Sequence, residues 1–269
     1  MIIFKSINKL NKEVNFKANI GFVPTMGALH RGHISLINAS KSKCSKTLVS
    51  IFINPSQFNK KNDYKKYPKK INNDIKILKK LKVDYLLIPK VNEIYKNKKK
   101  MKIKITQKDK VLCAKFRSGH FEGVLAVIKQ FLQNIKPKYM FLGEKDYQQI
   151  FLIKKFFKNK FITKIVPCKT IRLKNTLPYS SRNFLLTKID INKASLVTNL
   201  IKNFYLNTKK NFTNIKKFKE LRKKIYNKKI KIEYLELRNK TNFSKKINKS
   251  NFKIFIAFYI KNVRLIDNF

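Results

Sequence analysis

The sequence predicts an α/β protein: a parallel sheet with helices on both faces, followed by a smaller α+β domain. Three observations predict it. Strand-like and helix-like segments alternate through the first two-thirds of the chain, the pattern of a parallel sheet with crossover helices. Polar clusters fall at the ends of the predicted strands, where open parallel sheets bind ligands. After about Leu177 the texture changes to helices followed by strands. The expected domains are residues 1–176 and 177–269, with no repeat and no Pro/Ser-rich linker between them.

The elements follow in order. Residues 20–23 form a short strand that runs into Pro24-Thr25-Met26-Gly27-Ala28-Leu29-His30-Arg31-Gly32-His33, a glycine-containing turn opening a helix over about 33–41. The β-branched run 48–53 is ended by Asn54-Pro55. Ile71, Ile75, Leu78 and Leu81 recur at helical spacing, and the strand 83–88 stops at Pro89. Val124, Val127, Ile128, Phe131, Leu132 and Ile135 mark an amphipathic helix, with Pro137 just past its end. Residues 139–142 form a buried strand leading to Gly143-Glu144-Lys145-Asp146, then a helix rich in Ile and Phe, then a strand around 165–166. Helices over about 193–206 and 216–226 and strands over 230–237, 252–259 and 263–266 complete the second domain.

Composition narrows the function. A hydrophobic content of 43% in 269 residues is that of a folded globular chain, so disorder is excluded. The formal net charge of +50 would by itself point to nucleic acid or an anionic membrane surface. Lysine, however, is spread from Lys5 to Lys261, alongside an excess of Asn, Ile and Phe. That is a drift of the whole chain, whereas a nucleic-acid footprint is local; no specific nucleic-acid partner is expected. The residues that drift has left rare become informative. All three histidines (His30, His33, His120) and all six glycines lie between positions 21 and 143. Cys44, Cys113 and Cys168 lack C-x-x-C spacing and are odd in number, as expected of buried thiols in a reducing cytoplasm. Met1-Ile2-Ile3-Phe4-Lys5 breaks into charge too early for a signal peptide, and the late apolar run 254–260 is too short to span a bilayer. A soluble, cytoplasmic protein with no membrane partner is expected.

Four clusters carry chemistry. His30 and His33 stand three apart at a helix start, so both rings can face one way. A helix N-terminus offers unpaired N–H groups and a positive dipole end, and Gly27 and Gly32 let backbone approach a ligand. The phosphates of a nucleotide suit that cradle; two helix-start histidines with solvent or core roles are the alternative. In Gly143-Glu144-Lys145-Asp146-Tyr147-Gln148-Gln149, Lys145 can hold a phosphate as a point charge, although a solvated turn would read the same. Thr170-Ile171-Arg172 with Pro178-Tyr179-Ser180-Ser181-Arg182-Asn183 joins hydroxyls to a guanidinium fork that fits phosphate. Asn54-Pro55-Ser56-Gln57-Phe58 presents neutral amides after a strand, followed by Tyr67-Pro68 and Asp74; Arg117-Ser118-Gly119-His120-Phe121 is a further polar loop feeding a helix.

Taken together these motifs resemble the pantothenate synthetase (pantoate–β-alanine ligase) family of the nucleotidyltransferase superfamily, from about residue 20 to 269. The family's Pro-Thr-Met-Gly-Ala-Leu-His-x-Gly-His stands at 24–33, Asn-Pro-x-Gln-Phe at 54–58 and Gly-His-Phe-x-Gly-Val at 119–124. Gly-Glu-Lys-Asp-x-Gln-Gln stands at 143–149, Ser-Ser-Arg-Asn at 180–183 and Arg-Leu-Ile-Asp-Asn at 264–268. The resemblance implies a Rossmann-like catalytic domain with a C-terminal lid domain, a homodimer, and ATP-dependent ligation of pantoate and β-alanine through a pantoyl adenylate. It implies that Met26, Gly27, Ala28, Leu29, His30, Arg31, Gly32 and His33 line the ATP site, with His33 the proton donor to departing pyrophosphate. Lys145 would bridge phosphates, with Gly143, Glu144 and Asp146 near the nucleotide. Ile171 would contact adenine, and Tyr179, Ser180, Ser181 and Arg182 would close over the phosphates. Gln57 and Gln149 would bind pantoate, with Asn54 and Tyr67 beside the substrate, and Asp74 would help hold Mg²⁺ through water. Another nucleotidyltransferase using the histidine pair on a different acceptor, and a basic nucleic-acid-binding protein, are the rival readings.

The chain departs from the family pattern at several positions. Arg31 replaces a usual acid, Lys69-Lys70 an Arg-Thr pair, Asn73 a second acid beside Asp74, and Ser118 a proline. Thr176, Pro178 and Tyr179 stand where Gly, Ala and a flexible apolar residue are usual.

Overall fold

A computed structural model describes residues 1–16, 18–59, 61–95, 103–228 and 230–269. These residues divide into two units, the first made of Met1–Thr106 and Arg117–Thr170, the second of Gln107–Phe116 and Ile171–Phe269.

The first unit is built on β1 (Ile2–Phe4), β2 (Ile20–Thr25), β3 (Lys46–Ile51), β4 (Tyr85–Leu87), β5 (Tyr139–Gly143) and β6 (Lys164–Cys168). They form one parallel sheet in the order β1-β4-β3-β2-β5-β6. The chain steps outward from β2 through β3 to β4, then returns to β5 on the other side of β2. The order thus reverses between β2 and β5, and a crevice at the carboxyl ends of those strands is the topological place for a ligand. The expected strands at 20–23, 48–53, 83–88, 139–142 and 165–166 are all present. The three-residue edge strand β1 and α1 (Ile7–Glu13) were not foreseen from the sequence.

Helices cover both faces of this sheet, because successive side chains of a strand point opposite ways. Gly21 of β2 faces α2 (Arg31–Lys43), where Ser40 Oγ meets Thr47 Oγ1 of β3 at 2.9 Å. Phe22, the next residue, faces α7 (His120–Ile135) and packs edge-on to Phe131 at 5.4 Å. On the α2 side Val23, Leu36, Ile37, Val49, Leu78 and Phe141 form a buried core that includes α4 (Ile71–Lys80). Helix α7 ends at Lys136, whose left-handed φ of 48° turns the chain into Pro137. Short helices α3 (Lys61–Lys66) and α5 (Val91–Ile94) lie in the loops after β3 and β4, and α8 (Tyr147–Phe157) follows β5.

The second unit holds α6 (Cys113–Phe116), α9 (Lys188–Lys210), α10 (Phe218–Tyr226) and an antiparallel sheet of β7 (Lys231–Asn239), β8 (Phe252–Ile260) and β9 (Val263–Asn268). Ala194, Val197 and Ile201 of α9 and Leu221 and Ile225 of α10 pack on Ile254, Ile256 and Phe258 of β8. The opposite face carries Tyr234, Tyr259 and Arg264; Tyr259 stands across from Arg264, and Tyr234 across from Ala257. The 107–116 segment covers it: Cys113 Sγ lies 3.0 Å from Tyr234 Oη, and the Phe116 ring stacks on Tyr234 at 5.7 Å. Burial and the adjoining Cys113 push the Tyr234 hydroxyl well above its ordinary pKa. Among the described residues, no helix is long and apolar enough to cross a membrane.

At Gly21 β2 and α2 approach closely. A Cβ there would lie 2.2 Å from Ser40 Oγ and 2.9 Å from both Cys44 Sγ and a ring carbon of Phe141. Gly21→Ala is expected to destabilise the protein by roughly 1–3 kcal/mol through overpacking, read as a lower denaturant midpoint. An unchanged midpoint would contradict this packing.

Candidate active site

The turn after β2 takes its shape from hydrogen bonds that end inside the protein. Thr25 Oγ1 donates to the Ser50 carbonyl at 2.8 Å and accepts from the Gly27 N–H at 3.1 Å. Gly27 has φ +77° and Ala28 φ +49°, so two successive residues are left-handed; glycine tolerates this, whereas alanine must be held there. The holder is Asp74, from the first turn of α4. Its Oδ2 accepts from the Ala28 N–H and its Oδ1 from the Leu29 N–H, each at 2.8 Å. Asp74 is 1% exposed. Burial raises its pKa above the ordinary carboxylate value, with the two amides and Lys70 opposing.

This arrangement bears on three expectations. The N–H groups of Ala28 and Leu29 point at a carboxylate and do not form a backbone cradle for phosphate. The Gly32 N–H is likewise taken, donating to His30 Nδ1 at 3.1 Å. Asp74, expected at Mg²⁺, is instead buried with both oxygens engaged by backbone, which leaves it a poor fit to an ion that keeps its water shell. No group of three His, Cys, Asp or Glu able to hold a metal occurs among the described residues.

The donors of the site are side chains. The His30 and His33 rings stack at 4.0 Å, 26° from parallel. Because His30 Nδ1 accepts from Gly32, the proton of the neutral ring sits on Nε2, which makes that nitrogen a donor. Burial, then His33 and the Lys145 ammonium, brings the His30 pKa down to about 2. Burial and Lys145, opposed by Asp146, bring that of His33 to about 4. Both rings are therefore neutral at pH 7. His33 Nδ1 is buried with no hydrogen-bond partner among the described residues, a cost that a bound ligand would relieve. Lys145, on the 3₁₀ turn after β5, makes a 3.2 Å ion pair with Asp146. The ends of β2 and β5 thus bring His30, His33, Lys145 and Asp146 together. Glu144 lies towards Tyr147 and Cys168, raising the pKa of each in support of burial. Arg31 is exposed at the first position of α2, in contrast to the half-buried rings of His30 and His33.

The loop after β3 meets the same turn. Gln57 Nε2 donates to Met26 Sδ at 2.7 Å. Asn54, expected to touch substrate, is 1% exposed and organises the loop: its Nδ2 donates to the Gly123 carbonyl at 3.0 Å and to Gln57 Oε1 at 3.2 Å. Its Oδ1 accepts from the Ser56 N–H, Ser56 Oγ and Tyr95 Oη. Tyr67 is buried edge-on to Phe58 at 5.6 Å, a packing position. Gln149 is half-buried in the first turn of α8, and Gly143 half-buried at the end of β5. Arg117 and His120, which had no assigned role in the sequence, both bind the Gln57 carbonyl. Their spacing at the start of α7 was visible, but nothing in the sequence showed where they point.

Ile171, Tyr179, Ser180, Ser181 and Arg182 belong to the second unit. A hairpin runs from Ile171 to Tyr179, whose N–H donates to the Ile171 carbonyl at 3.0 Å. Arg172 anchors it, reaching Asp267 through two bonds of 2.6 and 2.9 Å and the carbonyls of Thr176 and Asn268. Thr176 has φ +74°, a strained value for a β-branched residue, and its Oγ1 lies 2.8 Å from Thr198 Oγ1 on α9. The left-handed turn that glycine usually supplies is thus kept by a threonine with a hydroxyl anchor. Ser180 Oγ accepts from the Arg182 N–H at 3.3 Å, and Asn183 Nδ2 donates to the Pro178 carbonyl at 3.2 Å, tying the loop to itself.

Folding favours the neutral imidazoles, so across pH 6.5 to 4 the unfolded chain binds more protons than the folded one. Stability therefore rises with pH through that window and is fully present above it. In an NMR titration of the three histidines, His33 is expected to ionise near pH 4, and His33→Gln to flatten the acid limb of a denaturant-midpoint profile. A His33 midpoint near 6.5 would contradict a buried, neutral pair.

Comparisons with known proteins give one answer along the whole chain. The family model described as pantoate-beta-alanine ligase matches residues 2–269, so the likeness begins at β1 and not, as the motifs alone implied, near residue 20. The pantothenate synthetase of Francisella tularensis subsp. mediasiatica (strain FSC147) is 43% identical over 267 residues, 98% of this chain and 94% of that protein. That of Francisella philomiragia is 43% identical over 274 residues, 100% of this chain and 97% of that protein. Among solved structures, the pantoate-beta-alanine ligase of Francisella tularensis complexed with beta-gamma ATP and beta-alanine has a TM-score of 0.86 at 42% identity, covering 100% of this chain and 97% of its own. The pantothenate synthetase of Thermus thermophilus has a TM-score of 0.90 at 26% identity, covering 100% of this chain and 99% of its own.

Proposed function

The chain belongs to the pantoate-beta-alanine ligase family and is an ATP-dependent ligase joining pantoate to β-alanine, and from that premise we propose which groups serve each step. The stacked His30–His33 pair beside Lys145, with its unpartnered buried nitrogen, is the observation that carries the assignment.

In the first step a pantoate carboxylate oxygen attacks the α-phosphorus of ATP. The bond to the bridging oxygen breaks, and its electron pair leaves on pyrophosphate, giving pantoyl adenylate. His30 Nε2–H and a neutral His33 donate hydrogen bonds to the oxygens that gain charge, and the Lys145 ammonium supplies the positive field. Such preorganised donors act strongly where water is excluded. Holding the imidazoles neutral suits them to donate without carrying charge into a site that already contains Lys145. Met26, Gly27, Gly32, Gly143, Glu144 and Asp146 flank the nucleotide in this reading. The expected roles of Ile171 at adenine and of Tyr179, Ser180, Ser181 and Arg182 at the phosphates are retained from the family resemblance.

Gln57 and Gln149 bind pantoate. The support for Gln57 is that, among the described residues, its Nε2 donates to a thioether sulfur, a weak acceptor that a substrate oxygen would readily replace. In the second step the β-alanine amine attacks the acyl carbon, the bond to the phosphate oxygen breaks, the amine loses a proton, and pantothenate and AMP are formed. No covalent enzyme intermediate is needed, so positioning carries the catalysis. Homodimerisation belongs to the same proposal as an implication of the family resemblance, and a cytoplasmic setting is supported by three free thiols.

Labelled pyrophosphate should exchange into ATP only when pantoate is present, with or without β-alanine, and Lys145→Ala should slow exchange by on the order of 10²–10³. Exchange without pantoate, or pyrophosphate release with no amide product, would overturn the assignment.

A further inference from the structure

We propose that Arg117 and His120 form a latch that positions Gln57 for pantoate, a role that rests on the reading of Gln57 given above. The Gln57 carbonyl receives two side-chain contacts from the start of α7: His120 Nδ1 at 2.7 Å and Arg117 Nη2 at 3.2 Å. The two partners also hold each other, Arg117 Nη1 lying 2.9 Å from His120 Nε2. A guanidinium can only donate, so His120 Nε2 must accept, and the imidazole proton must sit on Nδ1. From there it is given to the Gln57 carbonyl. Arginine thus sets the histidine tautomer, and the tautomer sets the loop.

The surrounding contacts leave this loop little other freedom. A Cβ on Gly123 would lie 2.5 Å from the Ser56 carbonyl, so loop backbone packs directly against the first turns of α7. Asn54 holds Gln57 Oε1 at 3.2 Å, which fixes which end of the amide is the donor. His120 itself is 8% exposed, so it acts through Gln57 and not as a ligand of bulk-accessible substrate. With backbone carbonyl and side-chain oxygen both fixed, Nε2 is directed towards Met26 in the turn after β2. The latch therefore sets the distance between the carboxylate that attacks and the phosphorus it attacks. A misplacement of about 1 Å in such a pair is worth up to on the order of 10²-fold in rate.

Four variants of the full chain, Gln57→Ala, His120→Ala, His120→Asn and Arg117→Met, test this. Each is measured for the KM of pantoate and of ATP in the exchange reaction. His120→Ala and Arg117→Met should raise the pantoate KM on the order of tenfold, with the ATP KM within about twofold of the parent. His120→Asn, whose amide can take the place of Nδ1, should recover most of the loss. ¹⁵N shifts of His120 in the parent should show a protonated Nδ1 and a bare Nε2. If both KM values rise together and asparagine restores neither, the role is merely structural and the latch is overturned. If Gln57→Ala raises the pantoate KM while the latch variants leave it unchanged, the latch fails and the Gln57 assignment stands. If Gln57→Ala itself spares pantoate, the Gln57 assignment fails and takes the latch with it.

Discussion

The buried carboxylate of Asp74 is the constraint from which the geometry of the catalytic turn follows. Two consecutive amides, those of Ala28 and Leu29, end on its two oxygens at 2.8 Å. Without that acceptor a left-handed alanine next to a left-handed glycine would relax, and two amide groups in the protein interior would lose their partner. Either loss costs on the order of 1–3 kcal/mol. With it, the chain leaves β2, reverses, and enters α2 at a set angle, so His30 caps its own helix and stacks on His33. The charge lies where water cannot screen it, and the turn is shaped before any nucleotide arrives.

A phosphate-binding loop that directs its amides outward needs flexible, glycine-rich backbone. Here the amides are turned inward and the outward donors are side chains, which explains why one glycine and one alanine suffice in the turn. It also explains the charge balance. The positive element is Lys145, already compensated in part by Asp146 at 3.2 Å, and the imidazoles beside it stay neutral. An adenylation site needs donors that strengthen as pyrophosphate leaves, and neutral rings held in place meet that need without binding the ground state too tightly. The Gln57 loop is anchored on the same turn through Met26, so in the proposed assignment nucleotide and acyl substrate share one reference frame.

Much of this was legible in the sequence because it is local. The strands that became β2, β3 and β5 announce themselves as β-branched or apolar runs ended by turn residues, and α7 by its helical period. The histidine pair stood out because histidine and glycine are scarce in a chain so rich in lysine and asparagine. What could not be read depends on partners distant in sequence that leave no local pattern. Asp74 lies 46 residues from Ala28, and its acceptor role toward backbone leaves no trace in the identity of its partners. The 107–116 segment joins the second unit through Cys113 and Tyr234, 121 residues apart. Thr176 departs from a usual glycine in the sequence; its left-handed φ and its bond to Thr198 show a threonine held in a glycine's conformation. Asn54 and Tyr67 have the chemistry of substrate contacts, and nothing local in the sequence shows that both are buried or that Asn54 ties its loop to Gly123.

The most direct measurement is the dissociation constant of ATP for Asp74→Asn, taken once with excess chelator and once with Mg²⁺. Asparagine keeps one acceptor and turns an NH₂ group toward an amide, so the turn is disturbed while side-chain size is kept. Loop clamping predicts weakening of ATP binding on the order of tenfold in both conditions, as expected when one buried amide loses its partner. Weakening confined to the Mg²⁺ series would contradict it and make Asp74 a metal-site residue after all.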